Sequence, residues 1–463
     1  MRSGKARTSH HTPESRERSG GESPAPYDLV VRNGRIVTIN SSCEIIENGF
    51  IAVTGDTISA IGPGGAESAD NARCSIDARG GLVLPGLVNA HTHAAMSLFR
   101  GLADDLPLMD WLDHYIFPAE RKLTGEWVYW GAMLAAAEMI RSGTTTFCDM
   151  YLFEDRVAEA AACAGMRAVV GEVLYDFDSP SYGRIENGLR FTRELVERWK
   201  GHPLISVAVE PHSAYTCSPE LLIRARDLAE ETDVPLITHL SESDSEVAAV
   251  VKRHGMRPVE FLDELGVLTA RLIADHCVVL NDKEMDLLAT RGVRVCHNAE
   301  SNMKLASGVS PVPDLISRGV QVGLGTDGCA SNNDLNMFGE MDTVAKLHKV
   351  IRKDPTIMDA RTVVSMATRG GAAVLGMEHA IGSLEIGKKA DLVVLDCRRP
   401  HMIPLFNPFS HLVYCANGSE VTSVVINGRP VLLEGRFTTL DEKEVFSRVE
   451  EIGRNIGEQR CSR

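Results

Sequence analysis

Through roughly 300 central residues, apolar runs of strand length alternate with amphipathic segments of helix length. Eight such runs end at His93, at Met150, near Asp176, and at His212, His239, His276, His297 and Asp327. Helical periodicity marks residues 125–141, 155–164, 185–200, 218–231 and 281–290 between or after them. This alternation predicts parallel strands covered by helices, and eight units in that length fit a (β/α)8 TIM-like barrel. An open doubly wound sheet would alternate in the same way. No Gly-rich dinucleotide fingerprint follows the first strand, however, and the barrel is the preferred reading.

The flanks follow a different period. Residues 28–39 and 50–53 read as short strands with the Asn33-Gly34 and Asn48-Gly49 turns. Residues 390–395 and 421–433 repeat the pattern around another Asn-Gly pair. The two ends are expected to build one small β-sandwich domain, its N-terminal part spanning residues 27–84 and its C-terminal part 381–440. The barrel would occupy 85–380 and a C-terminal helix 441–463. Residues 1–26 are rich in Ser, Gly, Pro and charge, with almost nothing apolar, and are expected to form a disordered tail.

Composition narrows the class of partner. The 463 residues carry a formal charge of −15, so the long-range field repels phosphate backbones and anionic lipid; neither nucleic acid nor membrane is expected as a partner. No apolar run approaches the roughly 20 residues of a membrane span. The 11 cysteines are scattered, with no C-x-x-C pair, which suits reduced thiols in the cytoplasm better than a disulfide scaffold. A small-molecule substrate is expected, and a homo-oligomer stays open.

The ends of the runs carry the chemistry. In a barrel the carboxyl ends of the strands converge on one mouth. A lone strand-end His is more often a structural hydrogen-bonder than a ligand, but here the pattern recurs. His91 and His93, in Pro85-Gly-Leu-Val-Asn-Ala-His-Thr-His, share a face at i and i+2, an arrangement that suits a divalent transition metal; a neutral structural pair is the alternative. His239 adds an imidazole, with Glu242 three residues on, and Asp327 adds a carboxylate after the last run. Three His and one Asp could hold one metal and leave a position for water.

These motifs, together with His276-Cys277, the segment Gly325-Thr-Asp-Gly-Cys-Ala-Ser-Asn-Asn333 and the segment Cys296–Leu305, resemble the amidohydrolase superfamily over residues 27–440. The likeness is to the branch of 5′-methylthioadenosine/S-adenosylhomocysteine deaminases and the related triazine and guanine aminohydrolases. The resemblance implies a hydrolase acting on C–N bonds of cyclic amidines. Its reaction would be deamination of an adenine nucleoside to the inosine analogue plus ammonia; another N-heterocycle, such as a triazine or guanine, is the alternative. It implies that His91, His93, His239 and Asp327 bind one divalent ion, zinc being usual and iron or manganese the alternatives. Binuclear relatives carry a modified lysine on the fourth strand, and residues 207–212 here contain none. By the same resemblance Asp327 accepts the water proton, Glu242 protonates the ring nitrogen and His276 stabilises the oxyanion. Glu120 and His212 match ribose-contacting positions, and Arg184 matches a residue that receives a carboxylate tail. A second such arginine is replaced by Glu172, which leaves methylthioadenosine, adenosine and 5′-deoxyadenosine at least as plausible as S-adenosylhomocysteine. Trp111 could line the pocket and His297 could support it. Cys148, Cys277, Cys296 and Cys329 are given no catalytic role. A catalytically dead ligand-binding barrel is the reading from outside the enzymes.

Overall fold

The computed structural model describes residues 1, 27–64, 72–106 and 108–461. The tail expected at residues 1–26 thus lies, Met1 aside, outside the described residues.

Eight parallel strands follow one another in chain order: β1 (Leu87–Thr92), β2 (Thr144–Tyr151), β3 (Arg167–Leu174), β4 (Ile205–Val207, continued by Glu210–Pro211), β5 (Leu236–Leu240), β6 (Leu272–His276), β7 (Arg294–His297) and β8 (Val322–Leu324). Every residue of β2 and β3 is buried, as expected where helices cover a parallel sheet. Hydrogen bonding joins β1 to β4 in one sheet and β5 to β8 in another. Parallel bridges Val209↔Leu236 and Ser213↔His239 link the two sheets at one junction. At the other, the Asp327 N–H donates to the His91 carbonyl (3.1 Å), and Asn89 exchanges two bonds with Thr326 (2.8 and 2.9 Å).

The helices start and stop where local chemistry says they should. Ser218 caps Pro219–Thr232 by accepting the Leu221 N–H, and Asn281 with Glu284 forms a capping box ahead of Asp282–Arg291. Gly325, just past β8, is required by close approach: a Cβ there would lie 2.8 Å from the His91 backbone nitrogen. This contact sets β8 tightly against β1, where the site is built.

Strands from both chain ends join one nine-stranded sheet. Its centre is Leu82–Pro85, which pairs in parallel with Arg35 and Ile36 and antiparallel with Leu392–Leu395. Side-chain alternation serves two cores at once. Leu82, Leu84, Val393 and Leu395 face the main core, while Val83, Leu392 and Val394 join Leu29, Val31, Ile51 and Val53 in a second one. Helix Glu442–Cys461 follows, held to helix Gly125–Arg141 by the Arg141–Glu442 ion pair at 2.6 Å. No helix among the described residues is long and apolar enough to cross a membrane.

One buried ion pair ties the nine-stranded sheet to β3. Arg167 reaches Asp391 through Nε and Nη2 at 2.8 and 3.1 Å, and Asp391 also accepts the Asn427 N–H at 2.6 Å. The side chains are 9% and 2% exposed. Asp391→Ala strands the guanidinium without a counter-charge, so a loss of about 3–5 kcal/mol is expected, read as a lower urea midpoint with unchanged slope.

Candidate functional site

The strand ends place four imidazoles in one cluster. Ring centroids lie 4.8 Å apart for His91–His93, 5.1 Å for His91–His239, 5.6 Å for His91–His276 and 5.4 Å for His239–His276. The Asp327 carboxylate completes the group, its Oδ1 lying 3.1 Å from His93 Nε2 and 3.6 Å from His91 Nε2. Two overlapping triads, His91–His239–His276 and His91–His93–Asp327, each offer ligand atoms within 4.8 Å of one another. His276 thus stands within ligand reach as well as catalytic reach.

Each imidazole is oriented from behind. The Nδ1 of His93 bonds to the Met150 carbonyl, and that of His239 to the His212 carbonyl at 2.8 Å. Carbonyls only accept, so both rings carry their proton on Nδ1 and turn an unprotonated Nε2 into the cluster. His276 Nδ1 faces Asn302 Oδ1 at 2.8 Å by the same logic. His91 Nδ1 lies 3.0 Å from the buried Asp275 carboxylate, and its Nε2 is buried without a hydrogen-bond partner. Three lone pairs and a carboxylate converging in a buried space are a donor set suited to a tetrahedral or five-coordinate divalent ion. His276 and Asp327 sit at φ 70° and 61°, a left-handed backbone that non-glycine residues adopt at a cost and that aims both side chains inward.

Electrostatics follows from burial and crowding. Burial pushes the Asp327 carboxyl up, but the close approach of the His91 and His93 rings outweighs it and holds the group well below the ordinary range. Ser301 and Ser331 donate to its Oδ2 at 2.6 and 2.8 Å, which leaves Oδ1 facing the imidazoles. Burial and the neighbouring imidazoles keep His239 neutral and lower His212 to about 3. Burial raises Glu242 despite His276, and raises Glu120 to about 7 against a hydrogen bond from Tyr151.

A pocket opens over this cluster. It is lined by His93, His239, Glu242, His276 and Asp327, and also by Glu120, His212 and Trp111. His212 is held through Nδ1 by Thr216 Oγ1 at 2.9 Å. Other expected residues lie elsewhere. Arg184 stands at the start of helix Ile185–Trp199, 81% exposed and 3.8 Å from Glu186, and does not line the pocket. Glu172 is buried, accepting the Glu154 N–H at 2.9 Å, and is not among the lining residues. His297 is buried against His348, at 3.3 Å between Nε2 atoms. The described cysteines are all free, and burial pushes Cys148, Cys277 and Cys296 far above the ordinary thiol range, so none is poised as a thiolate.

Several supporting residues escaped sequence reasoning. Asp275 precedes His276, so simple strand alternation turns it away from the mouth; it lies instead beneath His91. Glu246 receives the Ser241 and Glu242 N–H groups at 3.1 and 2.6 Å, and fixes the turn that presents Glu242. Asp149 accepts Thr92 Oγ1 at 2.6 Å and the Ala94 N–H at 2.5 Å, and steadies the segment carrying His93. Ser301 and Ser331 fall inside the two motifs already singled out, which was the one available signal.

A family model described as the amidohydrolase family matches residues 82–431. The chain belongs to the amidohydrolase family. It is therefore a hydrolase acting on C–N bonds, in a metal-dependent family whose fold is of TIM-barrel type. It is 60% identical over 430 residues to a 5-methylthioadenosine/S-adenosylhomocysteine deaminase of Syntrophobacter fumaroxidans, covering 93% of this amidohydrolase and 98% of that relative. It is 49% identical over 408 residues to a 5′-deoxyadenosine deaminase of Methanothermobacter thermautotrophicus, covering 88% and 92%. Among solved structures, an adenosine deaminase from Xanthomonas campestris with bound zinc superposes with a TM-score of 0.91 at 40% identity, covering 94% of this chain and 99% of that one.

Proposed function

We propose that this amidohydrolase deaminates an adenine nucleoside by hydrolysis, releasing the inosine analogue and ammonia. The substrates named for its relatives, 5′-methylthioadenosine, S-adenosylhomocysteine and 5′-deoxyadenosine, define the class. The observation that carries this reading is the meeting of outward-protonated imidazoles, a deprotonated Asp327 and a raised Glu242 in one pocket.

His91, His93, His239 and Asp327 would hold one divalent ion, with zinc favoured by the zinc-bound neighbour and by the nitrogen-rich donors. Such an ion lowers the pKa of bound water to about 7 and so supplies hydroxide at neutral pH. The rest falls to the chain's own groups. Asp327 Oδ1, ionised and flanked by imidazoles, takes up the proton of the attacking water and passes it to the departing amine, which leaves as ammonia. Glu242, whose affinity for its proton burial raises, gives that proton to the ring nitrogen beside the amine-bearing carbon, which makes that carbon electrophilic. His276, held by Asn302, offers Nε2 to the reacting oxygen. Glu120 and His212, which both line the pocket, would receive the ribose hydroxyls and so orient the purine.

Three architectural points belong to the same reading. The two linked parallel sheets form a closed (β/α)8 barrel, supported by the bonds at both junctions. The nine-stranded sheet folds over its second core as a β-sandwich, supported by the alternating side chains. Residues 27–84 and 381–440 form that domain, 85–380 the barrel, and 441–463 a terminal helix. A small nucleoside is the partner; polynucleotides and membranes are disfavoured by the net charge of −15.

Incubating the metal-loaded protein with methylthioadenosine, 5′-deoxyadenosine, adenosine, guanine and a triazine, and following ultraviolet absorbance with ammonia release, tests the reading. Turnover of at least one adenine nucleoside is expected. Turnover confined to guanine or the triazine would sink it.

A further inference from the structure

A line of rings leads from the buried site to the solvent. Tyr175 lies 6.4 Å from His212 and stacks on Phe177 at 3.9 Å between centroids, and Phe177, 44% exposed, meets Phe117 at 5.9 Å. Phe117 and Tyr175 line the pocket beside Leu112, Leu152 and Val173. No Lys or Arg stands among the described lining residues, whereas Glu120, Glu242 and Asp327 do. Outside, the loop that carries Phe177 adds exposed Asp176 and Asp178. Arg184, the nearest cation along the chain, faces solvent beside Glu186.

Resting on the deaminase reading, we propose that this pocket selects adenine nucleosides with a small uncharged 5′ substituent, methylthio or hydrogen, over S-adenosylhomocysteine. Phe117, Tyr175 and Phe177 form the selecting lip. A thioether sulfur gains favourable contacts with aromatic rings. The homocysteine tail instead carries a carboxylate to a lip where no Lys or Arg lines the pocket and where Asp176 and Asp178 stand as like charges, and a carboxylate left without a partner is costly. Its ammonium meets no such objection, because the acidic rim receives it.

The test separates charge from bulk. With the metal-loaded full chain, kcat/KM for methylthioadenosine and 5′-deoxyadenosine should exceed that for S-adenosylhomocysteine at least about tenfold. The aminopropylthio analogue, which keeps the ammonium and lacks the carboxylate, should stay within about threefold of methylthioadenosine. Calorimetric titration of the Glu242→Gln variant should give the same ranking of affinities, independent of turnover. Phe177→Arg, at an exposed position, should raise the S-adenosylhomocysteine to methylthioadenosine ratio several-fold. Equal kcat/KM or equal affinity for these two nucleosides overturns the proposal. An aminopropylthio analogue as poor as S-adenosylhomocysteine overturns its electrostatic basis, and an unchanged ratio in Phe177→Arg removes that residue from the lip. If no adenine nucleoside is turned over while methylthioadenosine still binds preferentially, the deaminase reading fails and the selectivity stands. Absence of both turnover and binding sinks both.

Discussion

Replacing Glu242 by Gln is expected to lower kcat about 10²–10⁴-fold while the protein still takes up one divalent ion per chain. The amide matches the carboxyl in size and keeps the turn that Glu246 fixes through the Ser241 and Glu242 backbone. What it loses is the transferable proton, which burial holds on this group above the ordinary carboxylate range. Metal analysis beside steady-state kinetics separates the two effects. An unchanged kcat would remove Glu242 from the chemistry, and loss of metal with activity would make its role structural.

His91→Ala should behave differently, losing both the ion and activity. His91 is shared by the two ligand triads, so its removal opens both at once, and the Asp275 carboxylate beneath it loses its imidazole partner in a fully buried place. Asp275→Asn probes the same link more gently. Second-sphere partners of ligating histidines are worth about 10–100-fold in metal affinity, so zinc should be retained at high concentration and stripped more readily by a chelator. Chelator competition measures this directly. Stoichiometric metal in purified His91→Ala would show that the ion sits elsewhere.

The strand ends are legible because these strands are buried on both faces, so each appears as a continuous apolar run that stops where polar chemistry begins. The stops were read slightly late. β1 ends at Thr92 and β4 at Pro211, one residue before His93 and His212, and β8 ends at Leu324, three before Asp327. Those side chains sit where the chain leaves the sheet, and a bend such as φ 61° at Asp327 re-aims them in a way that a period of two cannot describe. The same break hid Asp275. Arg184 shows what the sequence leaves open: its motif position is at a loop, where one turn of backbone decides between pocket and solvent, and here its side chain is exposed beside Glu186. The flanking strands were visible singly through their Asn-Gly turns. That both ends share one sheet is also legible from the matching patterns; its strand order and register are not, because the short segment Leu82–Pro85 joins the two ends through pairings that no local pattern encodes.

That segment also bears on how the chain acquires its shape during synthesis. Pro85 pairs with Leu392, 307 positions later, so the N-terminal strands leave the ribosome long before the neighbour that completes their sheet. At about 5–20 residues per second the interval is about 15–60 s. Throughout it the edge at Leu82–Pro85 stays unpaired, just upstream of His91 and His93. Assembly of the first ligand-bearing strand into a finished molecule is therefore a late event, set by the rate of translation.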